Sequence, residues 1–123
     1  MKVLVVENNL VDLKLVRAIL QAGGHTIYEL TSAEGAIELI EAHRPDVAII
    51  DLQLSGLDGL DLIRLIRGNP NTSLLPILPV TAYPSRYPRA VLSDARCRIC
   101  LYKPIDTREL ANRVQEVAIT PVM

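Results

Sequence analysis

The sequence PDVAIIDLQLSGLDG, residues 45–59, contains the clearest strand signal in the chain. Pro45 and Asp46 end the preceding helical pattern, and the four apolar residues Val47–Ile50 follow without interruption. An uninterrupted run of this length is typical of a strand covered on both faces, as in parallel sheets flanked by helices. The run stops at Asp51, so one carboxylate is predicted at the end of a buried strand. We expect the function of the chain to be organised around this residue.

Strands and helices are predicted to alternate along the whole chain. Short apolar runs predict five strands, at Val3–Val6, His25–Leu30, Val47–Ile50, Pro76–Val80 and Ile99–Leu101. Apolar residues at steps of three and four, which fall on one face of a helix, predict the helices between and after them. Strands joined through helices by short connections lie parallel with right-handed crossovers. The predicted fold is therefore α/β, a doubly wound five-stranded parallel sheet with helices on both faces.

Capping residues indicate where the helices begin and end. The first helix, Leu10–Gln21, is followed by Gly23-Gly24, and a capping box at Thr31–Glu34 precedes the second. Asp58 precedes the third helix, which extends through Arg67, and Asp106 precedes the last. The helix in residues 84–95 is less clearly marked. Pro84 and Pro88 require that it begins late or that the prolines lie in its first turn.

Composition and charge exclude several classes of protein. The 123 residues have the size of one domain, assigned to residues 1–119 with 120–123 as a C-terminal tail. Half of the residues are apolar but Phe and Trp are absent, so the core must consist of Leu, Ile, Val and Ala. The net charge of −1 argues against direct binding to nucleic acid or to an acidic membrane. Without a membrane-spanning run or a signal-peptide pattern, we expect a cytoplasmic protein.

Cys97 and Cys100 form a C-x-x-C pair, which raises the question of a redox or zinc site. Two thiols alone cannot complete a tetrahedral zinc site. The two residues also lie in a segment predicted to be extended, where a spacing of three directs the side chains to opposite faces. We expect two buried structural thiols.

Polar side chains follow four of the predicted strands. They are Glu7 and Asn8 after the first, Asp51 and then Gln53 after the third, Thr81 and Ala82 after the fourth, and Lys103 and then Pro104 after the fifth. In an open parallel sheet, ligands bind at the carboxyl ends of the strands, so these residues should converge. Acid and amide oxygens suit Mg²⁺, whereas Thr81 and Lys103 suit anionic phosphoryl oxygens. A carboxylate beside Mg²⁺ can itself be the nucleophile in phosphoryl transfer.

These residues resemble the receiver domain of two-component response regulators over nearly the whole chain. The matching segments are VLVVEN at 3–8, PDVAIIDLQLSGLDG at 45–59, PILPVTA at 76–82 and YKPI at 102–105. Each segment alone has little specificity. Their order is specific, as is the spacing of 30 residues from Asp51 to Thr81 and 22 from Thr81 to Lys103.

The resemblance implies a flavodoxin-like receiver fold in which Asp51 is the phosphoacceptor. The phosphoryl donor would be a sensor histidine kinase or a histidine phosphotransfer protein. Thr81, Ala82 and Lys103 would bind the phosphoryl group and act as the switch. A downstream protein partner would bind the face formed by residues 84–118.

The resemblance also implies a Mg²⁺ cofactor. Its ligands would be Glu7, Asn8, Asp51 and the backbone carbonyl of Gln53. Pro104 would follow a cis peptide bond, since X–Pro is the only bond at which the cis form is cheap.

Three residues depart from the receiver pattern. Asn8 replaces an Asp that is normally a direct metal ligand, so we expect weak Mg²⁺ binding, because affinity for hard cations follows the number of anionic ligands. Ser55 replaces a proline in the loop after Asp51. Cys100 occupies the position, three residues before Lys103, where many receivers have an aromatic switch residue.

Asn8, Cys100 and the proline-bearing segment 84–88, which also departs from the receiver pattern, leave an alternative open. The chain would then be a pseudo-receiver, a protein-interaction module that acts without phosphorylation. A phosphatase of the haloacid dehalogenase type also uses an Asp at a strand end, but Gln53 stands where its second Asp is expected. We therefore expect a signalling module and not an enzyme. The cognate kinase, the output, a homodimeric state and membership of a larger protein all remain open.

Overall fold

The computed structural model describes all residues from Met1 to Met123 and contains five strands and five α-helices. The strands are β1 (Lys2–Val6), β2 (Thr26–Leu30), β3 (Val47–Asp51), β4 (Ile77–Thr81) and β5 (Leu101–Tyr102). The helices are α1 (Leu10–Ala22), α2 (Ala36–His43), α3 (Gly59–Gly68), α4 (Arg89–Asp94) and α5 (Thr107–Ile119). No helix is both long enough and apolar enough to cross a membrane.

The sheet has the strand order β2-β1-β3-β4-β5, and every neighbouring pair is parallel. β3 is the central strand, and all five of its residues are buried, as its uninterrupted apolar run predicted. The order of the strands reverses between β1 and β3, which opens a crevice at their carboxyl ends. The predicted fold, a doubly wound five-stranded sheet of flavodoxin-like type, is confirmed.

Two aliphatic layers cover the sheet, one on each face. Because side chains alternate along a strand, β3 directs Ala48 and Ile50 to the layer that contains α2, α3 and α4. Val47 and Ile49 join the opposite layer with α1 and α5. Tyr87 is the one aromatic residue among the buried side chains, so the prediction of an aliphatic core is largely confirmed.

Most of the predicted capping residues are in place. Asp58 Oδ1 accepts a hydrogen bond from the Leu60 N–H at 2.7 Å, and Asp106 Oδ1 accepts one from the Glu109 N–H at 2.8 Å. Gly24 is left-handed, with φ 82°, directly after the cap of α1. The Asp58 and Asp106 side chains thus satisfy backbone N–H groups that have no partner within their helices.

The predicted capping box at Thr31–Glu34 is wrong. These residues form bends and a turn, and α2 begins at Ala36 without a side-chain hydrogen bond at its cap. Gly35 precedes the helix with φ 80°. A left-handed residue at this point interrupts the helical backbone, so Glu34 lies before the helix and cannot close its first turn.

The segment before α4 agrees with the limits that its prolines impose. Pro84 begins a 3-10 turn, Pro84–Arg86, and Pro88 is the cap of a six-residue α4. The helix therefore begins late, after both prolines. At the other end of the domain, residues 120–123 follow α5, and the division between domain and tail stays a prediction.

β5 begins later than predicted, because the chain leaves α4 through Arg96 in a left-handed conformation (φ 58°) and pairs with β4 only from Leu101. Cys97 and Cys100 therefore precede the strand, and the prediction that they lie in an extended strand segment is wrong. Cys97 is buried and Cys100 half-buried, and both are free. Burial raises the pKa of both thiols, that of Cys100 to about 12, so neither is an activated nucleophile.

Arg67, in the last turn of α3, connects two loops of the structure. Its guanidinium group is part-buried and donates hydrogen bonds to four backbone carbonyls. They belong to Ser73 and Leu75, ahead of β4, and to Ala95 and Arg96, ahead of β5. Few other residue types can supply that many donors from one fixed plane.

We expect Arg67→Ala to lower the free energy of unfolding by about 2–4 kcal/mol, because hydrogen bonds to a charged donor are lost and their carbonyls are left without partners. Urea unfolding followed by circular dichroism measures the change. Arg64→Ala is the matched control, since Arg64 lies on the same helix, is 57% exposed and reaches Asp61 only at 3.7 Å. Equal destabilisation by both substitutions would contradict the role given to Arg67.

Candidate functional site

Asp51 lies at the carboxyl end of β3 with its side chain 2% exposed. Its Oδ1 accepts a hydrogen bond from the Gln53 N–H at 2.9 Å, and its Oδ2 accepts one from Lys103 Nζ, also at 2.9 Å. Gly59, the first residue of α3, packs directly on its backbone. A Cβ at position 59 would lie 2.1 Å from the Asp51 carbonyl oxygen, so only glycine fits there. The carboxylate is thus fixed in place and almost fully withdrawn from solvent.

The Lys103 ammonium group brings three carboxylates together. Its Nζ lies 2.9 Å from Asp51 Oδ2, 3.0 Å from Glu7 Oε1 and 3.0 Å from Asp12 Oδ2. The Lys103 N–H also donates to the Thr81 carbonyl at 2.9 Å, which fixes the end of β5 against β4. Glu7, Asp51 and Lys103 therefore meet as the sequence predicted.

Asp12 is a member of this cluster that the sequence analysis missed. It lies in the first turn of α1, where an acidic residue is commonly explained by the helix dipole alone. The available signal was its position in the helix that follows β1, which brings its first turn to the same edge of the sheet.

The cluster has more negative than positive charge, because three carboxylates surround one ammonium group. Burial and the neighbouring Asp51 raise the pKa of Glu7 to about 7, although Lys103 acts in the opposite direction. Burial alone would lower the pKa of Lys103, but hydrogen bonds to Asp51, Asp12 and Glu7 outweigh it and raise that pKa. A surplus of buried negative charge favours the binding of a cation.

The donor set is chemically suited to Mg²⁺. No three His, Cys, Asp or Glu side chains are arranged to enclose a metal ion by themselves. Mg²⁺, however, is usually held by one or two carboxylates and keeps several waters. Glu7 and Asp51 supply two such carboxylates, both in contact with Lys103 Nζ. The ligand roles of these residues and of the Gln53 carbonyl stay predictions.

Asn8 does not take part in the cluster. Its side chain is exposed, and its amide nitrogen donates to Ser55 Oγ at 3.2 Å, across the crevice in the loop after β3. Two of the departures from the receiver pattern thus contact each other. Ala82 is also exposed and makes no hydrogen bond to Asp51 or Lys103.

Thr81, fully buried at the end of β4, is connected to Asp51 through Gln53. The Thr81 hydroxyl donates to Gln53 Oε1 at 3.0 Å and accepts a hydrogen bond from the Tyr83 N–H at 2.9 Å. The Gln53 Nε2 atom is buried without a hydrogen-bond partner. Only the backbone carbonyl of Gln53 was predicted to take part in the site, and no sequence pattern indicates the contact between these two side chains.

Tyr87 is a second residue that was missed. Its ring is buried, and its hydroxyl lies 3.2 Å from the Leu52 carbonyl and 3.0 Å from Asp58 Oδ2. Burial, reinforced by Asp58, raises the pKa of Tyr87. Tyr87 therefore connects the segment before α4 to the residue that follows Asp51 and to the cap of α3.

The Lys103–Pro104 peptide bond is cis, as expected for Pro104.

Comparisons with known proteins agree with this arrangement. A family model described as the response regulator receiver domain matches residues 3–115. The polar-differentiation response regulator DivK of Brucella anthropi is 27% identical over 103 residues, which cover 84% of each chain. The receiver domain of the sensor histidine kinase PA1611 from Pseudomonas aeruginosa, solved with a magnesium ion in its active site cleft, superposes with a TM-score of 0.86. It is 28% identical, with 97% of this chain and 98% of that chain covered. A sensor protein from Polaromonas sp. JS666 superposes with a TM-score of 0.86 at 25% identity, with 95% and 94% covered.

In the absence of divalent cations, we expect wild-type stability to fall relative to that of Glu7→Gln as the pH rises from about 4.5 to 7. Folding raises the pKa of Glu7 from 4.5 to about 7, so the folded state holds a proton that the unfolded state has lost. The stabilisation is complete below pH 4.5 and is lost as the pH passes 7. Urea unfolding in EDTA across this range measures the difference.

The control is Glu34→Gln, which removes one carboxylate at an exposed position. A constant difference between the wild type and Glu7→Gln over the whole range would contradict the effect of burial on Glu7.

Proposed function

The chain belongs to the response regulator receiver domain family, and from that premise we propose that it accepts a phosphoryl group on Asp51 in a two-component phosphorelay. The donor is a phosphohistidine of a sensor histidine kinase or a histidine phosphotransfer protein. The observation that supports this most directly is the buried Asp51 carboxylate, held 2.9 Å from the Lys103 ammonium group in a crevice of surplus negative charge. On this proposal the chain is a cytoplasmic signalling module and not an enzyme.

Phosphoryl transfer to Asp51 requires mainly that the protein positions the reacting groups and supplies charge beside them. One Asp51 oxygen forms a bond to phosphorus while the phosphorus–nitrogen bond of the phosphohistidine breaks, and its electron pair returns to the imidazole ring. Mg²⁺, when bound, supplies positive charge against the phosphoryl oxygens. Lys103 supplies a fixed cation beside the acceptor, and the Gln53 N–H keeps the carboxylate oriented.

On this proposal, the hydrogen bond of the Thr81 hydroxyl differs between the unphosphorylated and phosphorylated states. Its hydroxyl is already occupied by Gln53 Oε1. A phosphoryl group on Asp51 offers stronger, charged acceptor oxygens within the same crevice. We propose that the Thr81 hydroxyl exchanges Gln53 for one of these oxygens, which shifts the chain that follows β4.

Tyr87 connects this change to the proposed output face, residues 84–118. It lies between the 3-10 turn and α4 and bonds to the Leu52 carbonyl, one residue beyond Asp51. The contact supports a coupling path that does not need an aromatic residue at position 100. Tyr102, within this range, and Tyr83, immediately before it, are exposed and provide contact area for a protein partner.

The alternative, a pseudo-receiver that acts without phosphorylation, is not favoured. Glu7, Asp51 and Lys103 meet with short ion pairs, and Thr81 is joined to them through Gln53. A module that used only its outer surface would not require this set of contacts.

We expect acetyl phosphate with Mg²⁺ to add one phosphoryl group to the wild type and none to Asp51→Asn, as measured by intact-protein mass spectrometry. Asp61→Asn is the control, because Asp61 is an exposed acid in the first turn of α3. No addition to the wild type at any Mg²⁺ concentration, together with undiminished partner binding by Asp51→Asn, would favour the pseudo-receiver instead.

We expect Tyr87→Phe to leave phosphorylation of Asp51 intact but to reduce its effect on residues 84–94. The substitution removes the hydroxyl that joins this segment to Leu52 and costs about 1–2 kcal/mol of stability. Hydrogen–deuterium exchange, with and without phosphorylation, measures the response of the segment. Tyr102→Phe is the control, since the Tyr102 hydroxyl is exposed and makes no hydrogen bond. An unchanged response in Tyr87→Phe would contradict the coupling.

A further inference from the structure

We propose that Asp12 provides the pocket with the carboxylate that it lacks at Asn8, and that the affinity for Mg²⁺ depends on it. The inference rests on the proposed function, because it concerns the same crevice. It assigns a role to a residue outside the set Glu7, Asn8, Asp51 and Gln53 expected to hold the metal. Asp12 is a positioning residue: it acts on the metal site through its negative charge and through its contact with Lys103.

Local hydrogen bonds fix Asp12 relative to Glu7. Asn9, the cap of α1, accepts hydrogen bonds from the N–H groups of Val11 and Asp12 through its Oδ1, each at 3.0 Å. The Asn9 N–H in turn donates to Glu7 Oε2 at 3.1 Å. The first turn of α1 is therefore fastened to the end of β1, and Asp12 is held facing Lys103.

The position of Asp12 is not that of an ordinary first-turn acid. Its carboxylate is 23% exposed and lies 3.0 Å from Lys103 Nζ, the same distance as Glu7. Asp61 has the corresponding place in α3, but it is 53% exposed and only approaches Arg64. Both acids can favour their helices through the dipole, but only Asp12 is also directed into the crevice.

The charges in the crevice give Asp12 its function. Asn8 is neutral and its amide is bound to Ser55, so position 8 contributes no charge to the cluster. With Asp12, three carboxylates oppose one ammonium group; without it, two would remain. Asp12 also shares the Lys103 ammonium with Asp51 and Glu7, which leaves these two carboxylates less neutralised and more attractive to a divalent cation.

The test is the dissociation constant for Mg²⁺ of the unphosphorylated protein, measured by titration of backbone amide signals in NMR spectra. Four proteins form a cycle: the wild type, Asp12→Asn, Asn8→Asp and the variant with both substitutions. We expect Asp12→Asn to weaken Mg²⁺ binding about tenfold, because the cluster loses one of the three negative charges that surround Lys103. Asn8→Asp should bind more tightly than the wild type.

The double variant decides the question, because it moves one carboxylate from position 12 to position 8 without a change in net charge. We expect its affinity to return to within about threefold of the wild type, since charge at either position should serve. Asp61→Asn is the matched control for the loss of a first-turn acid, and its affinity should equal that of the wild type. Should Asp12→Asn alone fail to fold, the comparison of Asn8→Asp with the double variant still measures the contribution of Asp12.

Equal Mg²⁺ affinity of the wild type and Asp12→Asn would overturn the proposal. A loss in Asp12→Asn that the second substitution does not restore would overturn it as well, because charge at position 8 would then not replace charge at position 12. No phosphodonor is present in the titration. Failure of Asp51 to become phosphorylated therefore contradicts the proposed function and is distinguished from failure of this inference.

Discussion

The Lys103 ammonium group is the constraint on which the rest of the site depends. Its Nζ atom lies within 3.0 Å of three carboxylates. They belong to Glu7 after β1, Asp12 in the first turn of α1 and Asp51 at the end of β3. These carboxylates and Lys103, which follows β5, come from different parts of the chain. They meet because β1 and β3 are neighbours in the sheet and β5 lies next to β4. Without the ammonium group, three negative charges would face one another in a largely buried space. With it, part of that negative charge is neutralised, and the cluster keeps more negative than positive charge.

The fold and the centre of the site could be predicted because both follow from local patterns. Apolar runs indicate strands, parallel strands end at one edge, and Glu7, Asp51 and Lys103 follow such runs directly. Asp12 and Tyr87 could not be predicted in this way. The contact of Asp12 depends on the direction of one helix turn, and that of Tyr87 on an irregular segment between two prolines. The capping box failed for a related reason, since its sequence pattern says nothing of the left-handed backbone at Gly35.

Two departures from the receiver pattern have counterparts nearby in space. Asn8 removes a carboxylate from the end of β1, and Asp12 supplies one from the next turn of the chain. Cys100 removes an aromatic ring from the approach to β5, and Tyr87 places one in the core from the approach to α4. In each case the chemical group has a different place in the sequence while a similar group remains close to Asp51.

The close approach of Gly59 to Asp51 has a mechanical consequence. A Cβ at position 59 would lie 2.1 Å from the Asp51 carbonyl oxygen, so the first residue of α3 rests on the strand backbone with no side chain between them. Side chains act as compliant spacers, because they can rotate and absorb small displacements. None is present at this contact, so the first turn of α3 must move together with the end of β3. Farther along the helix, buried side chains such as Leu62 and Ile66 lie between α3 and the sheet.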